Sequence, residues 1–492
     1  MIGIDAASLP FIEAHGAELP VLRRLLASGV LHHLRPRRDL ITGAQWPDFF
    51  TGEHPGMHGY YHDLAWDPTA MRVRRVTDRA VAYAPFWHRF DAVGLAVIAV
   101  DVPHALPPRP RRGVEVVAWN AHDHMTPFGV HPVELRREIR RRFGGRSIGY
   151  ETPARKTTRQ MAGIRQRLIE SARRKGDLCR WLLRQHQWDF FVTVFGEPHR
   201  GGHLLWPHAL PDLAPPPPGA LLDVYRAVDT AIGQILDALR AAGAMVAIFA
   251  ANGMGEDISQ DHLALPIMDR VNELFLAHEG IAPVDGAIPG RSLVRRLRAR
   301  LPDRIQHALG QVAPVWVRDQ IVSRTFTDGR DWRRTPGFAV RSDVHTYVRY
   351  NLRGRESAGM LEPGSALLAR YEAWLARSIC SLRDADTGEP VVREVCFSRH
   401  AYPGPRMHLL PDAIVAYRDL PPASRLASEL LGEIDAELGT GRCGNHRPDG
   451  FCLLLEPTGD WARAGALTHV SDLAPMLLRH YGVAPLPAAV SS

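Results

Sequence analysis

Three short apolar runs limit what this chain can fold into. Residues 94–102, 188–195 and 244–251 each have the length of a buried strand. Stretches of helical apolar spacing lie around them, at 86–91, 132–143, 164–186 and 221–242. The pattern begins at once, with a short strand over 1–5 and helical spacing over 20–26 that Ser28-Gly29 stops. Strands that alternate with helices in this way predict an α/β fold, a doubly wound, mostly parallel sheet with helices on both faces.

At 492 residues the chain has room for one large α/β domain with insertions, or for two to three domains. From 263 to about 330 it turns helical, loop-rich and arginine-rich, and regular patterning returns afterwards. The expected division is therefore 1–262 and 336–492 as two parts of one core, with 263–335 as an insertion or cap. No apolar run reaches about 18 residues, so no membrane helix is expected. Met1 leads straight into strand residues, without the pattern of a signal peptide. The five cysteines are scattered, odd in number and without CxxC spacing, which predicts free thiols and a cytoplasmic protein. The net charge of +7 comes from arginine runs near 35–38, 109–112, 136–142 and 291–300. They lack interleaved aromatics and read as solvated helix faces, so nucleic acid is not an expected partner.

Chemistry gathers in two places. The 188–195 run continues into Phe195-Gly-Glu-Pro-His-Arg-Gly-Gly-His-Leu-Leu-Trp206. His199 and His203 stand four apart with two glycines between them, which reads either as a loop with two exposed histidines or as a Gly-rich loop carrying a metal site at a sheet edge. Upstream, Thr42 sits on a Gly-flanked turn before an aromatic segment, Gln45-Trp-Pro-Asp-Phe-Phe50. Such a threonine is either an exposed nucleophile or a helix N-cap, and spacing leaves both open. His54, His58, His122 and His124 read as structural or surface residues. Arg349 and Arg353 read as solvated, with anion binding as the alternative.

Taken in order, these pieces resemble the alkaline phosphatase superfamily, in its type I phosphodiesterase/nucleotide pyrophosphatase-like branch. Gly3-Ile-Asp5 resembles the family's first strand and its metal carboxylate. Thr42-Gly-Ala-Gln-Trp46, Thr51-Gly52 and Pro55-Gly-Met-His-Gly59 resemble the nucleophile turn and its helix. Gly196-Glu-Pro-His-Arg-Gly-Gly-His203 stands in the place of an Asp-x-x-x-His ligand pair. Asn252-Gly-Met-Gly255 stands where the family has Asp-His-Gly-Met, and Gly444-Asn-His-Arg447 resembles the final ligand histidine.

The resemblance implies an alkaline phosphatase-like core and two metal ions, usually zinc, that clamp a phosphate or sulfate ester while a Thr or Ser attacks. On that reading Thr42 is the nucleophile, and Asp5, His199, His203, His446 and Asn252 are the metal ligands. The match is uneven. His199 replaces an aspartate, and Ala251-Asn252 replaces an Asp-His pair. His199, His203 and His446 make a sound zinc set, whereas Asp5 with Asn252 would hold an ion weakly at Thr42. One Zn²⁺ is expected rather than two, with Mn²⁺ as the other candidate. A single zinc lowers the pKa of a bound water to about 7 and so offers an alternative to Thr42. Glu197, Glu256, Asp257, Asp261 and His262 are further acids and bases nearby in sequence. The expected function is metal-dependent hydrolysis, or transfer, of small-molecule phosphate monoesters, phosphodiesters or related anionic esters. The alternative is a pseudoenzyme that keeps the fold as a ligand- or partner-binding module.

Overall fold

The computed structural model describes residues 1–35, 40–76, 84–105, 112–120, 127–147, 149, 151, 154–208, 210, 213–281, 302, 305, 308–309, 312–436, 441–455, 461 and 467–484. His122, His124 and most of the arginine runs near 109–112 and 291–300 lie outside these residues.

An eight-stranded sheet forms the centre. Its order is Val30–Leu34, Gly450–Leu455, Val246–Ala250, Ile2–Ile4, Phe190–Phe195, Val97–Val100, Gly113–Val117, Gly129–His131. The five strands from Val246–Ala250 to Gly113–Val117 run parallel. The remaining three pair antiparallel at the two sides. This is the mostly parallel α/β sheet that the alternation predicts.

Side chains along each strand alternate between two apolar layers. Phe190, Val192 and Val194 join the layer that holds the aromatic helix Gln45–Thr51 and the helix Leu473–His480. Phe191 and Phe195 join the opposite layer, beneath the long helices Thr158–Gln185 and Ala220–Ala241. Thr157 and Gln160 form a reciprocal capping box that starts the first of these helices, an arrangement that contributes about 1 kcal/mol.

A four-stranded antiparallel sheet, in the order Gly337–Val340, Thr346–Tyr350, Ala413–Tyr417, Val392–Phe397, extends the first layer. Helices Ala264–His278 and Ala366–Cys380 cover it. Arg349 belongs to this part of the core and is not solvated as expected. It is 2% exposed, its Nε donates to Glu356 at 2.7 Å, and its Nη1 donates to the carbonyl of Leu410. Arg353 is exposed beside Glu362. No helix among the described residues is long and apolar enough to cross a membrane.

The segment after Phe195 is a helix, Glu197–Leu205, and not a loop. Its glycines serve packing. A Cβ on Gly202 would lie 2.5 Å from Met254 Cγ, and one on Gly201 would lie 3.0 Å from Leu221 Cδ1. Pro198 in the first turn favours the start, because its missing N–H has no helical partner there.

Candidate metal centre and catalytic cleft

Parallel strands deliver the candidate residues to one edge. Asp5 directly follows Ile2–Ile4, the His199/His203 helix follows Phe190–Phe195, and Ala251-Asn252 follows Val246–Ala250. In a doubly wound sheet this carboxyl edge is where ligands bind. Helical spacing puts His199 and His203 on one face, four residues apart. His446 arrives on the short strand Gly444–Arg447, which pairs antiparallel with Gly253–Glu256. The ligating atoms of His199, His203 and His446 all lie within 4.8 Å of one another.

Each ring is held from behind through Nδ1. His203 Nδ1 is 2.8 Å from the Gly444 carbonyl, and His199 Nδ1 is 2.7 Å from Asp5 Oδ2. These acceptors fix the proton on Nδ1 and turn the Nε2 lone pairs inward. His446 Nδ1 is 3.0 Å from the side-chain amide of Asn252, whose Oδ1 is buried and otherwise without a partner. The amide orientation that places Oδ1 against Nδ1–H satisfies that oxygen and frees His446 Nε2 as the third donor. His199 Nε2 and His203 Nε2 approach to 2.9 Å. Two lone pairs at that separation repel unless a cation or a proton lies between them. The donor set fits a divalent ion such as zinc.

Electrostatics keep His203 and His446 neutral. Burial, and next the Arg442 guanidinium, hold His203 well below the usual imidazole range. Burial, then His199, pushes His446 down to about 3.

Asp5 and Asn252 stand behind imidazoles and outside the donor cluster. Asp5 Oδ2 faces His199, and its Oδ1 accepts from Trp46 Nε1 at 2.8 Å. Thr42 begins a 3-10 turn, Thr42–Ala44, and caps no helix. Its hydroxyl makes no hydrogen bond among the described residues. Thr42 and His446 line one narrow cleft, together with His345, Tyr417, Arg418 and Arg447.

The other acids divide. Glu197 is 1% exposed and accepts from Ser171 Oγ at 2.6 Å. Asp257 is cradled by Ser259 and Asn445. Burial raises the carboxyl of Asp261, beside Arg341 and Arg442. His262 contacts the Ala423 carbonyl, and Glu256 is exposed. His58 is buried against Asp48 at 2.7 Å, and His54 caps the short helix Pro55–His58.

Sequence reasoning missed three supports. Lys175 is fully buried, donates to the Val194 carbonyl at 2.7 Å, and pairs with Asp101 at 3.1 Å and Glu197 at 3.7 Å. It ties the first turn of the His199/His203 helix to the sheet. His62 bridges Asp63 and Asp343 at 2.7 and 3.5 Å, and Asp343 Oδ2 comes within 3.2 Å of where a Cβ on Gly43 would stand. Arg442 pairs with Glu151 at 2.7 Å. A lone lysine on a helix or an arginine in a loop has no local signal for such a role.

Two solved structures resemble the fold. Phosphonoacetate hydrolase from Sinorhizobium meliloti 1021, in complex with phosphonoformate, is 12% identical with a TM-score of 0.48, and the match covers 96% of this chain and 93% of that one. Murine ectonucleotide pyrophosphatase / phosphodiesterase 5 is 12% identical with a TM-score of 0.49, over 99% and 96%. No curated protein matches the sequence. Residues 1–360 match the family model for type I phosphodiesterase / nucleotide pyrophosphatase. By that match the chain belongs to the type I phosphodiesterase / nucleotide pyrophosphatase family, whose members are phosphoric ester hydrolases.

Proposed function

We propose that this protein is a metal-dependent phosphoester hydrolase built on one divalent ion. The observation that carries the reading is the convergence of the His199, His203 and His446 nitrogens, together with a cleft that His446 and Thr42 both line. Zinc is the favoured ion for three imidazoles, and when bound it supplies Lewis-acid charge against the phosphoryl oxygens.

The chain's own residues do the rest. Asp5, Gly444 and Asn252 hold the three rings by their Nδ1 atoms. Thr42 presents an unengaged hydroxyl to the ester. Its Oγ–P bond forms as the ester P–O bond breaks, the hydroxyl proton passes to cleft water, and the departing alkoxide takes a proton from water. A second water then hydrolyses the phosphothreonine and returns Thr42, with phosphate released from a monoester and a phosphate monoester released from a diester. Small-molecule phosphate esters or diesters are the substrate class.

Bis(p-nitrophenyl) phosphate turnover by the purified protein tests the reading. We expect turnover that chelation abolishes, that zinc or manganese restores, and that Thr42→Val and His203→Ala each remove. Undiminished activity in His203→Ala refutes it. A second reading has its own support, since both oxygens of Asp5 are engaged within the protein and Ala251 has no ligating side chain. If the wild-type protein turns over no ester with any metal, the fold serves as a binding module.

A further inference from the structure

The cleft that Thr42 and His446 share is lined by three arginines, Arg393, Arg418 and Arg447, against one acid, Asp419. Arg447 directly follows His446 in the chain, and its Nη2 is anchored on the Glu256 carbonyl at 2.7 Å. Arg393 and Arg418 have a different origin. They come from the four-stranded sheet, and that sheet supplies none of the metal donors.

The backbone brings these two arginines together. Val392 pairs with Tyr417 and Glu394 with Ala416, so Arg393 is the extra residue of a β-bulge. It lies on Val392–Phe397, an edge strand of the sheet. A bulge on an edge strand re-aims the side chain it carries and is a frequent feature beside binding sites. Arg418 directly follows Tyr417, and its N–H donates to the Val391 carbonyl at 2.9 Å. The two side chains therefore leave neighbouring strands at the same end of the ladder, and both reach the cleft.

Neither guanidinium is used up by the protein. Arg418 makes no side-chain hydrogen bond or ion pair among the described residues. Arg393 Nε stands 3.7 Å from Glu394 Oε1, beyond hydrogen-bond distance, and the side chain is 41% exposed. Arg355, by contrast, commits its fork to Asp412. A guanidinium fork matches the planar oxygens of a carboxylate and the oxygens of a phosphate. Two such forks in a cleft with the nucleophile and a metal donor fit an anion other than the reacting phosphoryl group.

We propose that Arg393 and Arg418 form a specificity site for phosphate esters that carry a second anionic group, a carboxylate or a phosphate. The inference rests on the phosphoester reading above, and the experiment separates the two. Propylphosphonate, phosphonopropionate and ethylene diphosphonate are titrated calorimetrically into zinc-loaded wild type, Arg393→Met, Arg418→Met and the double variant, with zinc content measured in each. The first probe has one anionic group and the other two have a second. We expect wild type to bind a doubly anionic probe about tenfold more tightly than propylphosphonate, since hydrogen bonds to charged groups contribute this much or more. The tighter of the two doubly anionic probes names the group recognised. Each single variant should lower that ratio, and the double variant should bring it close to one while keeping its zinc.

A wild-type ratio near one overturns the proposal, as does an undiminished ratio in the double variant. Failure of wild type to bind any of the three probes overturns it too. If wild type shows the preference through these arginines but hydrolyses no ester, the inference stands and the hydrolase reading falls. If wild type hydrolyses bis(p-nitrophenyl) phosphate and shows no preference among the probes, the inference alone falls.

Discussion

Asp5 Oδ2 lies 2.7 Å from His199 Nδ1. This contact joins the end of a central strand to the helix that carries two of the three imidazoles. A carboxylate behind a ligating histidine fixes the ring and raises its basicity. Asp5→Asn should therefore lower zinc affinity by roughly 10- to 100-fold while Trp46 keeps an oxygen to donate to. Competition with a fluorescent zinc chelator measures this, and an unchanged affinity would mean that Asp5 only braces Trp46.

Ala251 and Asn252 follow the Val246–Ala250 strand, where the family resemblance places an Asp-His pair. The double substitution Ala251→Asp, Asn252→His should raise the zinc content of dialysed protein from near one per chain to near two. Elemental analysis reads the result. A ratio that stays near one would show that backbone placement, and not side-chain loss alone, closes the second site.

Lys175 neutralises two buried carboxylates beneath the site helix. Burial opposes its charge, but Glu197 and Asp101 raise its pKa. Lys175→Met leaves both acids uncompensated, which costs about 3–5 kcal/mol. Urea denaturation should show this as a lower midpoint with little change in slope. A midpoint within experimental error of wild type would mean that the acids take up protons at no appreciable cost.

His62 makes a pH prediction. Burial works against its proton, yet Asp63 and then Asp343 outweigh it and push the imidazole up to about 9. Asp343 is held well below the usual carboxylate range despite its burial, chiefly by His62. A raised histidine pKa stabilises the fold fully below the unfolded value and loses that stabilisation as pH rises through the folded value. The Tm difference between wild type and His62→Gln should be steady from about pH 5 to about pH 6.5 and close as pH passes about 9. A difference that instead grows with pH would show that His62 is neutral in the folded protein.

The alternating pattern determined the α/β sheet, because strand length, helical period and chain order are local properties. The four-residue spacing of His199 and His203 was legible for the same reason, whereas Thr42, open in sequence between an exposed nucleophile and a helix N-cap, is buried in a 3-10 turn and caps no helix. The helix Glu197–Leu205 was not legible, since Gly201 and Gly202 look like loop residues until Leu221 and Met254 are seen against them. Nor could sequence show Arg349 as a core residue, because its partners Glu356 and Leu410 meet it only across packed strands and turns. The resemblance named His446 and Asp5, but their parts differ in space: His446 turns a nitrogen inward, while Asp5 stands one shell behind. Lys175, His62 and Arg442 carry no sequence signal at all. The sequence by itself determined where the strands and helices of the α/β core form and that His199 and His203 stand four residues apart. Only the tertiary structure decided which atoms face the centre and which face each other, because hydrogen bonding and buried charge act over a few ångströms between residues hundreds of positions apart.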